Sequence, residues 1–368
     1  MCFAKSKPSL KFNISVIPQE YLSILAVFYV RRKEKSTIIF KEYLVKNLLL
    51  IGSTCVDVII KLDHLPVTGE DIHPEYQTFR MGGCAYNAAR IPKALDLPVT
   101  FITPVGQQGV FGRFVWQHLQ EEHFTGPVPV ADQENGCCYC FVEKNGERTF
   151  ISSHGIEYHF DPNYLSSYKD TVFDYIYICG LEVEEPTGEK LVDYLQSLPS
   201  GTVFYAPGPR GSFISQERTD RIFRLHPILH LNEQEVLDMA ARFAGFTSSV
   251  TVSGTKSANV RIPMEEIQSA ARALQQTTRN IIIITCGDRG VCWLTADGSF
   301  HRLASEQASV VDTIGAGDSH AGALLSALSM ELPLEKAMLF ANRISAQVVS
   351  TEGASIPDTL VREIASSL

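Results

Sequence analysis

The stretch "NLLLIG", Asn47 to Gly52, sets four apolar residues in a row between an asparagine and a glycine. A strand with one wet face alternates apolar and polar side chains. An unbroken run of this length instead reads as a strand buried on both faces and ending in a turn. Working outward, similar runs recur at "VTFITPVG" (99–106), "FDYIYICG" (173–180), "TVFYAPG" (202–208), "ILHLN" (228–232) and "NIIIITCG" (280–287). Amphipathic stretches lie between several of them, at 188–197, 263–276 and 332–349. Alternation of this kind predicts an α/β domain with a mainly parallel central sheet flanked by helices. Ligands of such sheets bind at the carboxyl ends of the strands.

Two segments interrupt the rhythm. "VDVIIKLDHLPVTGEDIHPEYQTFRMGG" (56–83) is too long and too polar for a simple helical connection. "GCCYCFVEKNGERTFISSHG" (136–155) holds Asn145-Gly146 between two strand-like runs, a hairpin signal. Together they predict a small antiparallel sheet standing off the main domain. No internal repeat or low-complexity tract is evident.

With 368 residues, 45% of them hydrophobic, the chain can bury a core that needs no disulfide or metal staple. A net charge of −9 argues against a nucleic-acid partner, because phosphate binding wants a basic face. The nine cysteines are an odd number, and most sit in apolar runs. "CCYC" (137–140) lacks a second CxxC or a His pair at zinc-ligand spacing, so buried free thiols in a reducing cytoplasm are expected.

The first 46 residues differ in character and form an N-terminal extension of doubtful status. "YLSILAVFYV" (21–30) is too short to span a bilayer, and the basic "RRKEK" follows it. One expectation is a true start near Leu44 or Val45 from an alternative start codon, which mass spectrometry of the native protein would test. The other is a helix lying against a membrane.

"VVDTIGAGDSHAG" (310–322) carries the chemistry. Glycines 315 and 317 let backbone amides turn toward one point, and a helix-compatible segment follows. Amides at a helix N-terminus make an anion site, helped by the helix dipole. An acid beside a transferring phosphoryl group suits a base that takes a proton from the attacking hydroxyl. Asp318 also fits a plain helix cap, and the pattern alone does not choose. No GxGxxG or GxxxxGK[ST] occurs anywhere in the chain.

"DTIGAGDSHAG" resembles the C-terminal signature of the PfkB (ribokinase-like) carbohydrate kinases, and "MGGCAYNAARIPKAL" (81–95) resembles their N-terminal one. Their order and separation agree, and the likeness runs from about Asn47 to Asp358. It is nearest to poorly characterised bacterial sugar kinases. The resemblance implies a ribokinase-like kinase domain over 47–368, with a β lid from about 58–80 and 137–153, ATP and Mg²⁺. It implies Asp318 as general base and Gly315, Ala316 and Gly317 as the anion hole. Asp57 in "GSTCVDVII" then grips sugar hydroxyls, with Gly82, Gly83 and Asn87 as further substrate contacts. "LNEQE" (231–235) matches an N-x-x-E motif, so Asn232 and Glu235 organise Mg²⁺ through water. Thr285 and Gly287 in "TCGDRG", and Asn342 on a late helix, are the implied nucleotide contacts. Asp312 corresponds to a residue that shapes a monovalent-cation site in some members, so K⁺ activation is an expectation.

Some positions depart from the family pattern. Cys55 stands where ribokinases often carry Asn, "GQQGVFG" (106–112) replaces "GDDxxG", and Ala206 replaces a strand-end acid. Arg210 remains available to a phosphate or an acidic substrate group. Catalysis is expected to survive while substrate choice moves. The expectation is an ATP-dependent sugar kinase in the cytoplasm, with no nucleic-acid or membrane partner and a homodimer formed through the lid. The alternatives are a nucleoside kinase, with Phe101, Tyr139 and Phe141 as aromatic lining opposite Asp57, and a sugar sensor without turnover.

Overall fold

In the computed structural model, which describes residues 45–248 and 261–368, the opening run forms the strand Leu48–Ile51 (β1). Leu48 and Leu50 enter one hydrophobic core and Leu49 and Ile51 the other, all almost without exposure. That is the two-sided burial expected of an uninterrupted apolar strand. Truncating such a residue to alanine costs about 2–5 kcal/mol. Both expectations for the leading segment fall on residues 1–46, of which 1–44 lie outside the described residues.

The chain continues through Cys55–Leu62 (β2), Tyr76–Gly82 (β3), Cys84–Ala94 (α1), Val99–Ile102 (β4), Pro104–Gln108 (β5) and Gly109–Glu121 (α2). Val128–Glu134 (β6), Cys137–Glu143 (β7), Arg148–Ser153 (β8), Tyr175–Cys179 (β9), Gly180–Glu184 (α3) and Gly188–Ser197 (α4) follow. Next come Thr202–Ala206 (β10), Gln216–Phe223 (α5), Ile228–Asn232 (β11), Glu233–Phe243 (α6), Met264–Thr278 (α7) and Ile282–Thr285 (β12). Val291–Leu294 (β13), Phe300–Leu303 (β14), Ala316–Ser329 (α8), Leu334–Val349 (α9) and Asp358–Ser366 (α10) complete it.

The main sheet has eight strands in the order β14-β13-β12-β11-β10-β9-β1-β4. From β4 to β12 every neighbouring pair is parallel, and β13 and β14 extend the edge as an antiparallel meander. Helices α1, α2, α8, α9 and α10 cover one face and α4 to α7 the other. The carboxyl ends of β1, β11 and β12 therefore open toward one side, where the glycine-rich segment also lies. No helix among the described residues is long and apolar enough to cross a membrane.

Two expectations need correction. "VTFITPVG" is two strands, because β5 leaves the main sheet and pairs with β6. Pro104 has no N–H to donate to a ladder, and the Thr103 carbonyl turns to accept from Val128 instead. The smaller sheet, ordered β3-β2-β7-β8, is mixed rather than antiparallel, since β2 and β7 run parallel. Its two hairpins are antiparallel as read, with Asn145-Gly146 at the tip of one. The long excursion of residues 63–136 returns the chain to the same end of the sheet, and such a crossover is what a parallel pair requires.

Candidate active site

Asp318 stands in the first turn of α8, whose N-cap, Gly315, has φ +69°. A Cβ at Gly315 would come within 2.4 Å of the Ala354 side chain, so glycine is required on both counts. Gly317 is different: nothing lies within 4 Å of where its Cβ would be. The first amides of a fourteen-residue helix thus face open space, with the positive end of its dipole behind them. That space is a cavity of about 940 Å³ lined by Thr285, Gly287, Val310, Ala316, Gly317 and Asn342, among others. The predicted nucleotide contacts Thr285, Gly287 and Asn342 are gathered here; Asn232 is not among the lining residues.

The Asp318 carboxylate accepts a 3.0 Å bond from the Asn87 amide. It is half-buried by area yet closely walled by protein, and this desolvation pushes its pKa up to about 6. Asn87 and Cys84 hold it down in part, while the Glu182 charge adds to the rise. A carboxyl poised there is ionised at neutral pH and remains a usable proton acceptor.

Asp57 comes from a different place, strand β2 of the smaller sheet. Desolvation pushes its pKa up to about 7, with the Cys138, Asp318 and Asp312 charges adding to it. Gly82 and Gly83, expected as substrate contacts, are also required by close protein contacts. A Cβ at Gly82 would sit 2.3 Å from the Asp57 carboxylate. One at Gly83 (φ +106°) would sit 2.4 Å from the Ser53 carbonyl. They let Asp57 and the β1–β2 turn close against the start of α1.

Asn232 and Glu235 form a capping box on α6. The Asn232 side chain accepts from the Gln234 and Glu235 amides, and Glu235 accepts from the Asn232 backbone and side chain at 2.9 and 2.7 Å. Burial raises the Glu235 pKa, and the Asp238 and Asp318 charges raise it further, against the Asn232 amide. Asn342 accepts from His320 at 3.2 Å and donates to the Ala304 carbonyl at 3.1 Å; His320 in turn bonds His230. Asp312 is 4% exposed and fully engaged. Burial alone would raise its pKa, but the Ile314 and Gly353 amides and Arg148 outweigh that and hold it low.

The Arg148 guanidinium, at the start of β8, binds Asp312 directly. Arg80 of β3 makes a second tie, donating to the Glu352 carbonyl at 2.8 Å. The smaller sheet is thereby fastened over the α8 N-terminus. Neither arginine was singled out from sequence, since each finds its partner across more than 160 residues.

Strand register decides which side chains face the site. Asp57 pairs with Arg80, Cys138 and, through β7, Ser152; Cys140 pairs with Phe150 and Val142 with Arg148. Paired residues share a face, so Asp57, Cys138, Cys140, Phe150 and Arg148 look the same way. Tyr139 and Phe141 alternate to the opposite face, and Phe101 is fully buried against Phe124. None of these three lines a pocket opposite Asp57; Phe150, half exposed, is the aromatic residue on that face. Arg210 is also corrected: it is spent on a bidentate pair with Glu184 and a stack on Phe213.

The model of the pfkB family carbohydrate kinases matches residues 45–360. The uncharacterized sugar kinase YegV of Escherichia coli (strain K12) is 31% identical over 314 residues, covering 85% of this chain and 92% of its own. Arabidopsis thaliana ribokinase, solved with ribose and ATP, superposes with a TM-score of 0.68 at 16% identity, over 87% of this chain and 98% of its own. A Methanocaldococcus jannaschii nucleoside kinase gives 0.67 at 19% identity, over 88% and 99%. The backbone alone is thus equally similar to a sugar enzyme and a nucleoside enzyme.

Proposed function

This chain belongs to the pfkB family of carbohydrate kinases and is a phosphotransferase with an alcohol acceptor; from that premise we propose that it transfers the γ-phosphate of ATP to a sugar hydroxyl, with Asp318 as the general base. The observation that carries this reading is the Asp318 carboxylate, set beside open helix-terminal amides at the rim of a cavity of about 940 Å³. Residues 47–368 are the kinase domain, and the sheet of β3, β2, β7 and β8 is its lid.

Asp57 accepts two sugar hydroxyl bonds at once, one on each carboxylate oxygen, and its charge strengthens both. Asn87 keeps the Asp318 oxygen aimed and ionised by donating to it. Asp318 then takes the hydroxyl proton as the new O–P bond forms and the bond from the γ-phosphorus to the ADP oxygen breaks, and the amides of 315–317 meet the negative charge of the transferring group. Arg148 and Arg80 hold the lid down, which excludes water and spares ATP from hydrolysis. Thr285, Gly287 and Asn342 form walls of the nucleotide cavity.

Mg²⁺ fits the residues present: Glu235 and Asp318 oppose each other's ionisation, and Glu235 has lone pairs left for metal-bound water. When bound, the ion would offset phosphate charge. A monovalent cation at Asp312 fits less well, because Arg148 and two amides already satisfy that carboxylate. We therefore expect turnover without K⁺. A homodimer through the lid is supported by β8, an edge strand whose Ile151 is 58% exposed on the face away from the site.

The second reading, a nucleoside kinase, is favoured by one residue, Phe150, which offers a base a ring to stack on. A phosphate-transfer assay over pentoses, hexoses, sugar acids and nucleosides decides between them. Turnover of a free sugar and not of nucleosides is expected. Turnover of nucleosides alone overturns the sugar, and sugar binding with no turnover of any acceptor favours the sensor reading over the sugar kinase.

A further inference from the structure

The cysteine run at 137–140 looked incomplete as a metal motif because only its own thiols were in view. Strand pairing supplies what it lacked. Cys138 and Cys140 are two apart on β7 and so project from one face, and the parallel register sets Asp57 of β2 directly beside Cys138. The two sulfurs lie 3.8 Å apart. One Asp57 carboxylate oxygen and both sulfurs all fall within 4.8 Å of one another. Among the described residues this is the one group of three such donors close enough to share an ion.

We propose that Asp57, Cys138 and Cys140 form a binding site for a thiophilic divalent cation, Zn²⁺ being the best fit, on the inner face of the lid. The geometry agrees with the ion's demands. Zinc–sulfur bonds of about 2.3 Å at a tetrahedral angle place two sulfurs about 3.8 Å apart. Two thiolates and one carboxylate favour zinc over Mg²⁺, which wants an all-oxygen octahedral shell. Three protein ligands leave the fourth position to water, which is the open arrangement of a non-structural site. On binding, each thiol releases its proton to solvent and the sulfur forms the bond to the metal. A disulfide is a poorer fate for the pair, since residues two apart on an extended strand sit about 6.6–6.8 Å apart, at the far end of the disulfide range.

The site has a consequence that rests on the sugar-kinase reading. Zinc held by one Asp57 oxygen takes up half of the carboxylate and much of its charge, so zinc and sugar compete for Asp57, and zinc inhibits competitively with sugar rather than with ATP. The acid that selects the substrate then also makes the enzyme responsive to free zinc.

The test uses the full-length protein, kept reduced, and Co²⁺ as the visible probe for Zn²⁺. Titration is expected to develop a thiolate-to-cobalt charge-transfer absorption that saturates at one equivalent and disappears when Zn²⁺ is added. Cys138→Ser and Cys140→Ser should each abolish the absorption, and Asp57→Asn should weaken Co²⁺ binding. Absence of the absorption in the native protein, or its persistence in both serine variants, overturns the site. Either result leaves the kinase reading untouched, because no acceptor is involved. In a second arm, the best acceptor from the kinase panel is added to the cobalt-loaded protein. Displacement of Co²⁺ supports mutual exclusion. An absorption that survives saturating acceptor confirms the metal site and removes Asp57 from the sugar-binding role.

Discussion

The two acids of the site, Asp318 and Asp57, come from regions built by different rules. Asp318 lies where a glycine turn feeds a helix, and its surroundings are mostly local: the open Gly317, the amides of α8 and the helix dipole. Asp57 lies on an inner strand of a four-stranded sheet, and its neighbours Arg80 and Cys138 come from two other strands and are set by register. Local geometry makes an anion site almost unaided, whereas the lid face exists only once strands have paired. The first region supports chemistry common to many acceptors. On the proposed reading, the second is where substrate choice is decided.

Substitutions break the comparison in decreasing order. Asp318→Asn should cut kcat by about 10²–10⁴-fold, the span of a lost general base, while calorimetry shows nearly unchanged ATP affinity. Full turnover in that variant would remove Asp318 from the mechanism. Asp57→Asn should act chiefly on acceptor KM, by roughly 10–100-fold, equivalent to the ~1.5–3 kcal/mol of a charge-assisted hydrogen bond. An effect on kcat alone would contradict its assignment to binding.

The pH dependence sharpens the same contrast. With Asp318 as the proposed base and Asp57 as the proposed hydroxyl acceptor, both must be ionised, so kcat/KM should climb as pH rises through about 6 and about 7. Stability moves the other way. Each folded-state pKa is raised from 3.8, so the folded form binds protons more tightly than the unfolded one. That contribution is complete below about 3.8 and is lost as pH rises through about 6 and 7. Denaturant melts at pH 5 and pH 8 should show the isolated Asp57→Asn and Asp318→Asn variants gaining most, relative to native, at the higher pH.

Smaller effects test the seam between the regions. Arg148→Gln should lower kcat/KM roughly threefold to tenfold, about 1 kcal/mol of lid closure, and raise ATP hydrolysis without acceptor. Gly83→Ala should change turnover least. It should destabilise the fold by about 1–3 kcal/mol, read as a lowered Tm, because φ +106° and the Ser53 carbonyl both oppose a Cβ.

Much of the first region was legible. The apolar runs at 47–52, 173–180, 202–208, 228–232 and 280–287 each became a strand of the main sheet, because burial on both faces leaves its mark on consecutive residues. "LNEQE" was read only as an N-x-x-E motif through the family resemblance, and the structure adds that Asn232 and Glu235 form a capping box on α6. The smaller sheet was legible only in outline. Its strands could be named, but the parallel β2–β7 pairing, and therefore the face to which Tyr139, Phe141 and Phe150 belong, could not be read. A strand carries the same alternation whichever way it is paired.

The sequence by itself determined an α/β sheet, a helix N-terminus with an acid behind two glycines, and the strands of a second, smaller sheet. Those follow from periodicity, turn chemistry and motif, which act over a few residues. Only the tertiary structure decided that Arg148 closes on Asp312, that Asn87 aims Asp318, and that Cys138 and Cys140 flank Asp57. Such contacts join residues that register and crossover bring together, and no local pattern encodes the distance between them.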